Sequence, residues 1–219
     1  MRYLIALIAV LLTGSGFAQR ASASPLAASE GYYGYTVTGS TYTSSTADWT
    51  MPSYTCGAKT SNTYLAIWTG LDGFTSATVE QVGAEAYCLS GTAEYFGWYD
   101  LYPAAPVDFS NTLSAGDKLE ASVTYDGSSK FTLTLDDVTA GWDKTVTATL
   151  GGAERSSAET VVAAPDTLSC SPAKTLASFT GDTVDGTALG SLDPTLLSGG
   201  DPDITVSAVS GKTFKVTCT

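Results

Sequence analysis

From Gly31 onward, short runs rich in Tyr, Thr, Val and Trp alternate with clusters of Gly, Ser, Asp and Pro, and no stretch carries a helical period of apolar residues. Nothing else restricts the fold as much: β-branched and aromatic residues suit a pleated surface, and the small polar clusters supply turns. In 118–125, Leu119, Ala121, Val123 and Tyr125 fall on one face and Lys118, Glu120, Ser122 and Thr124 on the other, which predicts a half-buried strand. The same alternation marks 131–135 and 145–150, where apolar residues interleave with threonines. About a dozen such runs with no helices between them predict an all-β chain, two antiparallel sheets packed as a sandwich.

Two runs depart from simple alternation. In 77–87 the odd positions Val79, Gln81, Gly83, Glu85 and Tyr87 share a face, and in 94–102 the even positions Glu94, Phe96, Trp98, Asp100 and Tyr102 do likewise. Faces that mix carboxylates and an amide with large aromatics are poor core and suit the floor of a groove. The stretch 182–203, with turns at Asp193-Pro194 and Asp201-Pro202, reads as a long irregular connection.

At the start of the chain, Arg2, an apolar run over 4–12 and small residues over 14–18 have the form of an export signal. The expected organisation is therefore a signal over 1–18, a short leader or propeptide-like segment over 19–30, and one sandwich domain over 31–219. The whole chain carries 10 basic and 22 acidic side chains, a formal charge of −12. Such a polyanion disfavours nucleic acid and anionic membranes as partners and suits an acidic, extracellular setting, where carboxylates discharge. A monomer is the default expectation.

Cys56, Cys88, Cys170 and Cys218 show no CxxC spacing, so in an exported chain disulfides are expected rather than metal ligands. Three pairings exist. If the segments around Trp68 and Gln81 form a hairpin turning near Gly73, Cys88 lies roughly opposite position 59, near Cys56. That favours Cys56–Cys88 with Cys170–Cys218.

The chain contains no histidine. Ser-His-Asp triads, Cys-His dyads and HExxH zinc sites are thereby excluded. Ser171 and Lys174 match an SxxK pattern, but Pro172 lies between them in β-rich sequence, and a turn explains them better. Asp182 with Asp185, and Asp201 with Asp203, lack the graded spacing of a calcium loop and read as turn residues; Asp136 and Asp137 read as a hairpin end. Glu85, Glu94, Asp100 and Glu159 remain as candidates for paired-carboxylate chemistry. With Trp68 and Trp98 to stack on sugar rings, they leave a carbohydrate-binding module or glycoside hydrolase as one reading.

Fragments spread over nearly all of the region after the signal carry a more specific reading: YGYTVTGSTYTSSTADWTMPSYTC, YLAIWTGLDG, VEQVG, FGWYDLYP, VDFSN, LSAGDKLEASVTY and AETVV. In order and spacing together they resemble the glutamic peptidases, or eqolisins, known from acid-active fungal enzymes. The resemblance implies a concanavalin-like sandwich of two roughly seven-stranded sheets, a polypeptide substrate, no cofactor or metal, and hydrolysis by a Gln/Glu dyad without a covalent intermediate. It places the glutamine at Gln81 and the glutamate at Glu159, with Trp68, Asp72, Glu85, Trp98, Asp100 and Tyr102 lining or supporting the site. The chain departs from the family at Thr160, where a tryptophan is common, at Asp100, where glutamate is usual, and in having no acidic residue after Glu159 until Asp166. As a general base, Glu159 is expected near its ordinary pKa of about 4.3 and so partly ionised in mild acid.

Overall fold

The structure, a computed structural model, describes residues 31–56, 63–164, 170 and 174–219. The expected signal and leader over 1–30, Asp166 and the serine of the SxxK pattern lie outside the described residues. In chain order the strands are β1 (Tyr32–Thr38), β2 (Ser44–Thr50), β3 (Tyr64–Asp72), β4 (Val79–Leu89), β5 (Thr92–Tyr102), β6 (Val107–Asp108), β7 (Lys118–Gly127) and β8 (Lys130–Asp137). They continue with β9 (Trp142–Thr149), β10 (Ser157–Ala163), β11 (Lys174–Val184), β12 (Thr187–Ala188), β13 (Thr195–Ser198), β14 (Ile204–Val206) and β15 (Phe214–Cys218). The only helical element among the described residues is a single 3-10 turn, Leu189–Ser191.

The strands form two antiparallel sheets. One has seven strands in the order β13-β1-β10-β3-β4-β5-β6; the other has eight, running β14-β15-β11-β2-β7-β8-β9 with β12 beside β11. Leu65, Ile67, Leu71, Val82, Ala84 and Val162 of the first sheet meet Trp49, Leu119, Val123, Phe131, Leu133, Leu135, Phe179 and Phe214 of the second in one continuous core. Each such Leu or Phe contributes about 1.5–3 kcal/mol by leaving water, so this interface holds the sandwich together.

The two sheets solve burial differently. In β7 and β8 the predicted alternation holds: Leu119, Ala121, Val123, Phe131, Leu133 and Leu135 are buried, and the threonines face outward. β10 and most of β3 and β4 are buried on both faces. Their outer face carries a second cluster of Ala66, Trp68, Trp98, Val161, Ala163 and Leu197, against which Tyr32, Tyr64, Phe74 and Phe96 pack. A strand covered on both sides has no polar face to show, which is why AETVVA lacks alternation.

Both predicted disulfides are present, Cys56–Cys88 and Cys170–Cys218. The hairpin that suggested the first is offset from the expected register. β3 and β4 are joined by the six residues 73–78, so Tyr64 pairs with Tyr87 and Cys88 donates its N–H to the Thr63 carbonyl rather than facing position 59.

The expectation of an irregular stretch over 182–203 is overturned. It holds the end of β11, β12, the 3-10 turn and β13, which is the edge strand beside β1. Strands of two to four residues leave too few positions for a period of two to show. Asp185 does act as a turn residue, at φ 50°, accepting from the Thr43 and Ser44 N–H groups. Asp182 does not: it is buried in the interior, where desolvation pushes its carboxyl up to about 8, with Thr160 opposing and the charge of Asp48 adding to the rise.

Candidate active site

Antiparallel register aligns one residue from each of four neighbouring strands in a row across the first sheet: Glu159 on β10, Gly70 on β3, Gln81 on β4 and Asp100 on β5. Glu159 and Gln81 are second neighbours in the sheet, with β3 between them. They nevertheless touch, Gln81 Nε2 donating to Glu159 Oε1 at 3.1 Å. Gly70 makes this contact available. A Cβ there would lie 2.5 Å from Gln81 Cγ and 2.9 Å from Glu159 Oε1. The bare strand lets the two side chains lean over it and meet.

The adjacent row repeats the device with aromatics. Trp68, Gly83 and Trp98 align across β3, β4 and β5, and a Cβ at Gly83 would sit 2.6 Å from Trp68 Cβ. The two indoles therefore approach to 6.1 Å between ring centroids, tilted by 57°. Neither glycine was singled out in the sequence; each becomes visible once the register is known, as the position between two residues that must meet.

Gln81 is 5% exposed and Glu159 1%. The expectation from sequence that Glu159 lies near its ordinary value is overturned: burial pushes its carboxyl up to about 8, opposed by the Gln81 hydrogen bond and reinforced by the charge of Asp72. Oε1 accepts from Gln81 and Oε2 has no partner, so a single hydrogen bond offsets the cost of a buried charge here. Part of the cover is the 73–78 connection. Gly73 lies against both functional groups, and Phe74 and Thr75 are tied to the start of β10 through Phe74 N–H to Ser157 Oγ (3.4 Å) and Thr75 Oγ1 to Ser156 Oγ (3.1 Å).

The supporting residues divide by position. Asp72 ends β3 at φ 63°. Its carboxylate accepts from Arg155 N–H (2.7 Å), Ser156 N–H (2.8 Å), Ser156 Oγ (3.3 Å) and Thr78 Oγ1 (3.2 Å), tying both loops beside the dyad to one point. Asp100 completes the dyad's row and is buried, which pushes its carboxyl up to about 6. Glu85 is buried on the same face, two rows away, paired between Ala66 and Phe96. Tyr102 lies beyond the row, paired with Val79 and 39% exposed. Glu94 is exposed at the far end of β5.

Thr160 points away from the dyad into the interior. There Thr69 Oγ1 contacts Ser45 Oγ at 2.6 Å and Thr160 Oγ1 at 3.4 Å, and donates to the Glu159 carbonyl at 3.0 Å. A hydroxyl in place of an indole at position 160 thus alters the floor beneath the glutamate and not the face that carries Gln81 and Trp68. Among the described residues no group of three or more His, Cys, Asp or Glu side chains is arranged to hold a metal, and no helix is long and apolar enough to cross a membrane.

Comparison with known proteins gives the family. The chain is 29% identical over 143 residues to aspergillopepsin-2 of Aspergillus niger and 34% identical over 105 residues to scytalidopepsin B of Scytalidium lignicola. These alignments span 57% and 47% of this chain but 50% and 38% of the relatives, so the chain spans about half the length or less of the curated proteins it matches. Its fold is that of scytalido-glutamic peptidase solved with a transition state analog inhibitor, at a TM-score of 0.70 and 25% identity over 87% of this chain and 98% of that one. Aspergilloglutamic peptidase from Aspergillus niger matches at a TM-score of 0.52 and 26% identity over 71% and 99%. Residues 30–192 match the Peptidase A4 family, which covers the dyad, its glycine and the residues that support it. The chain belongs to the Peptidase A4 family, the glutamic peptidases.

Proposed function

We propose that this protein is a secreted acid endopeptidase in which Glu159 activates water and Gln81 stabilises the oxyanion. The observation that carries the reading is the 3.1 Å contact between Gln81 Nε2 and Glu159 Oε1 across Gly70, two groups 78 residues apart in sequence and adjacent in space. The glycoside reading is not favoured: the family match and the relatives are peptidases.

Hydrolysis begins with a rearrangement. A peptide and a water reach the dyad only when the 73–78 connection and its aromatic Phe74 move aside. Entry of water removes the burial that holds Glu159 protonated, and its pKa falls back toward the ordinary range, about 4.3, so that a useful fraction is ionised in mild acid. Ionised Glu159 then takes a proton from the attacking water. Gln81 turns its amide hydrogens to the developing oxyanion, a role worth about 3 kcal/mol for one well-placed donor. The carboxyl passes its proton to the departing amine, which leaves as ammonium in acid, and the water's oxygen stays on the new carboxyl terminus.

The test is digestion of a denatured protein at pH 3–5 by the purified protein, with Glu159→Gln and Gln81→Leu alongside. Loss of the base should lower turnover by about 10²–10⁴-fold and loss of the donor by about 10²–10³-fold. Full activity in Glu159→Gln ends the assignment.

A further inference from the structure

One residue before Gln81, the side chain of Glu80 leaves β4 on the opposite face and enters the core beside Val82, Ala84 and Ala86. It is 0% exposed, and no N–H or O–H group donates to either of its oxygens. Pairing with Leu71 in the β3–β4 ladder sets it next to Asp72, and the Asp72 carboxyl is its hydrogen-bonding neighbour. Two ionised carboxylates are acceptors only and cannot bond to each other, so a proton lies between them. Asp72 already accepts from Arg155, Ser156 and Thr78, whereas nothing donates to Glu80. The proton belongs to Glu80.

We propose that Glu80 is a positioning residue for the peptidase reaction: it donates its carboxyl proton to Asp72, and Asp72 pins the backbone of Arg155 and Ser156 so that β10 presents Glu159 to Gln81 across Gly70. The inference rests on the reading of Gln81 and Glu159 as the catalytic pair. Three ionisable groups act on Glu80 from the elements around it: Asp72 at the end of β3, Glu159 on β10 and Arg155 in the loop before β10. Burial is the largest influence; with the charges of Asp72 and Glu159 added and Arg155 opposing, it pushes Glu80 up to about 9. When that proton leaves, the charge on Glu80 adds to that of Asp72 beside it, the hydrogen bond between them is lost, and the grip on the 155–156 backbone fails. The arrangement is thus assembled in acid and released in alkali.

Two substitutions in the full chain separate this role from plain packing. Glu80→Gln keeps an N–H donor toward Asp72 at every pH; Glu80→Leu fills the space and donates nothing. With a saturating fluorogenic peptide at pH 4, Glu80→Leu is expected to lower kcat by at least about tenfold with KM changed less than about threefold. Glu80→Gln should recover kcat to within about threefold, and its loss of activity in alkali should move upward by about one pH unit or more. Equal kcat in Glu80→Leu and the unsubstituted protein, or an unshifted alkaline limb in Glu80→Gln, overturns the proposal. The second criterion stands even if Glu80→Leu does not fold. Amide hydrogen exchange at Ser156, whose N–H Asp72 holds, reads the same grip without turnover. It should quicken in Glu80→Leu if that variant folds, and unchanged exchange overturns the proposal. Activity surviving in Glu159→Gln, by contrast, removes the catalytic reading and leaves the exchange result intact.

Discussion

Replacing Gly70 by alanine adds one methyl group at the point where the site is narrowest. The new Cβ would stand 2.5 Å from Gln81 Cγ, 2.8 Å from the Glu80 carbonyl oxygen and 2.9 Å from Glu159 Oε1. Ordinary contacts between such atoms begin near ~3.5 Å, so they must retreat by roughly 0.6–1 Å, Gln81 Cγ the furthest. The Glu80 oxygen is backbone and resists, which leaves the two functional side chains to move apart. Overpacking of this kind costs about 1–3 kcal/mol of stability, a loss a two-sheet core of this size can absorb. The catalytic cost is larger in proportion, because displacing a positioned group by about 1 Å lowers a rate by about 10²-fold. Purified Gly70→Ala protein should therefore keep its far-ultraviolet circular dichroism and unfold a few degrees lower. Its kcat/KM on a peptide substrate should fall about 10²-fold. If kcat/KM in the folded variant stays within about twofold of the unsubstituted protein, the contact across β3 does not govern the chemistry and the reasoning fails.

Stability should fall as pH rises. Glu80, Glu159, Asp182 and Asp100 have native values raised to about 9, 8, 8 and 6, so each stabilises the fold fully below the unfolded carboxyl value near ~4 and progressively less as pH climbs through its native value. Thermal unfolding followed by circular dichroism should give a Tm that declines between pH 4 and pH 9, and a Tm that is level or rising over that range contradicts the assignment. Removing the Cys170–Cys218 bridge, which closes a separation of 48 residues, should cost about 4 kcal/mol by loop entropy, to be read from urea unfolding of the double Cys→Ser variant; a loss below about 1 kcal/mol would mean that the joined segments stay close without it.

How far the sequence reveals the fold depends on how each strand is covered. β7 and β8, wet on one side, announce themselves by alternation. β10, covered on both sides, does not, and its glutamate is one of four candidate carboxylates until the family's fragments single it out. The shared faces of 77–87 and 94–102 are as read, with Gln81 beside Asp100 and Gly83 beside Trp98. Their burial is not as read, because the aromatics that suggested an open groove floor instead pack on one another and close the face. The raised Glu159 value follows from that closure and has no signal in sequence. Glu80 was hidden for a related reason: beside the conspicuous Gln81 it reads as the polar half of an alternating pair, when in fact it points into the core.

The position of β10 also sets when in the life of the chain the chemistry becomes available. This strand wedges between β1 and β3, although more than a hundred residues separate β1 from it. Until it docks, two inner strands of the same sheet present bare edges, and Gln81 has no carboxyl to bind. With Gln81 and Glu159 as the proposed catalytic pair, a chain that has not yet delivered β10 has no pair to act with. On that reading, competence waits on a long-range pairing of the sheet rather than on any element that forms locally.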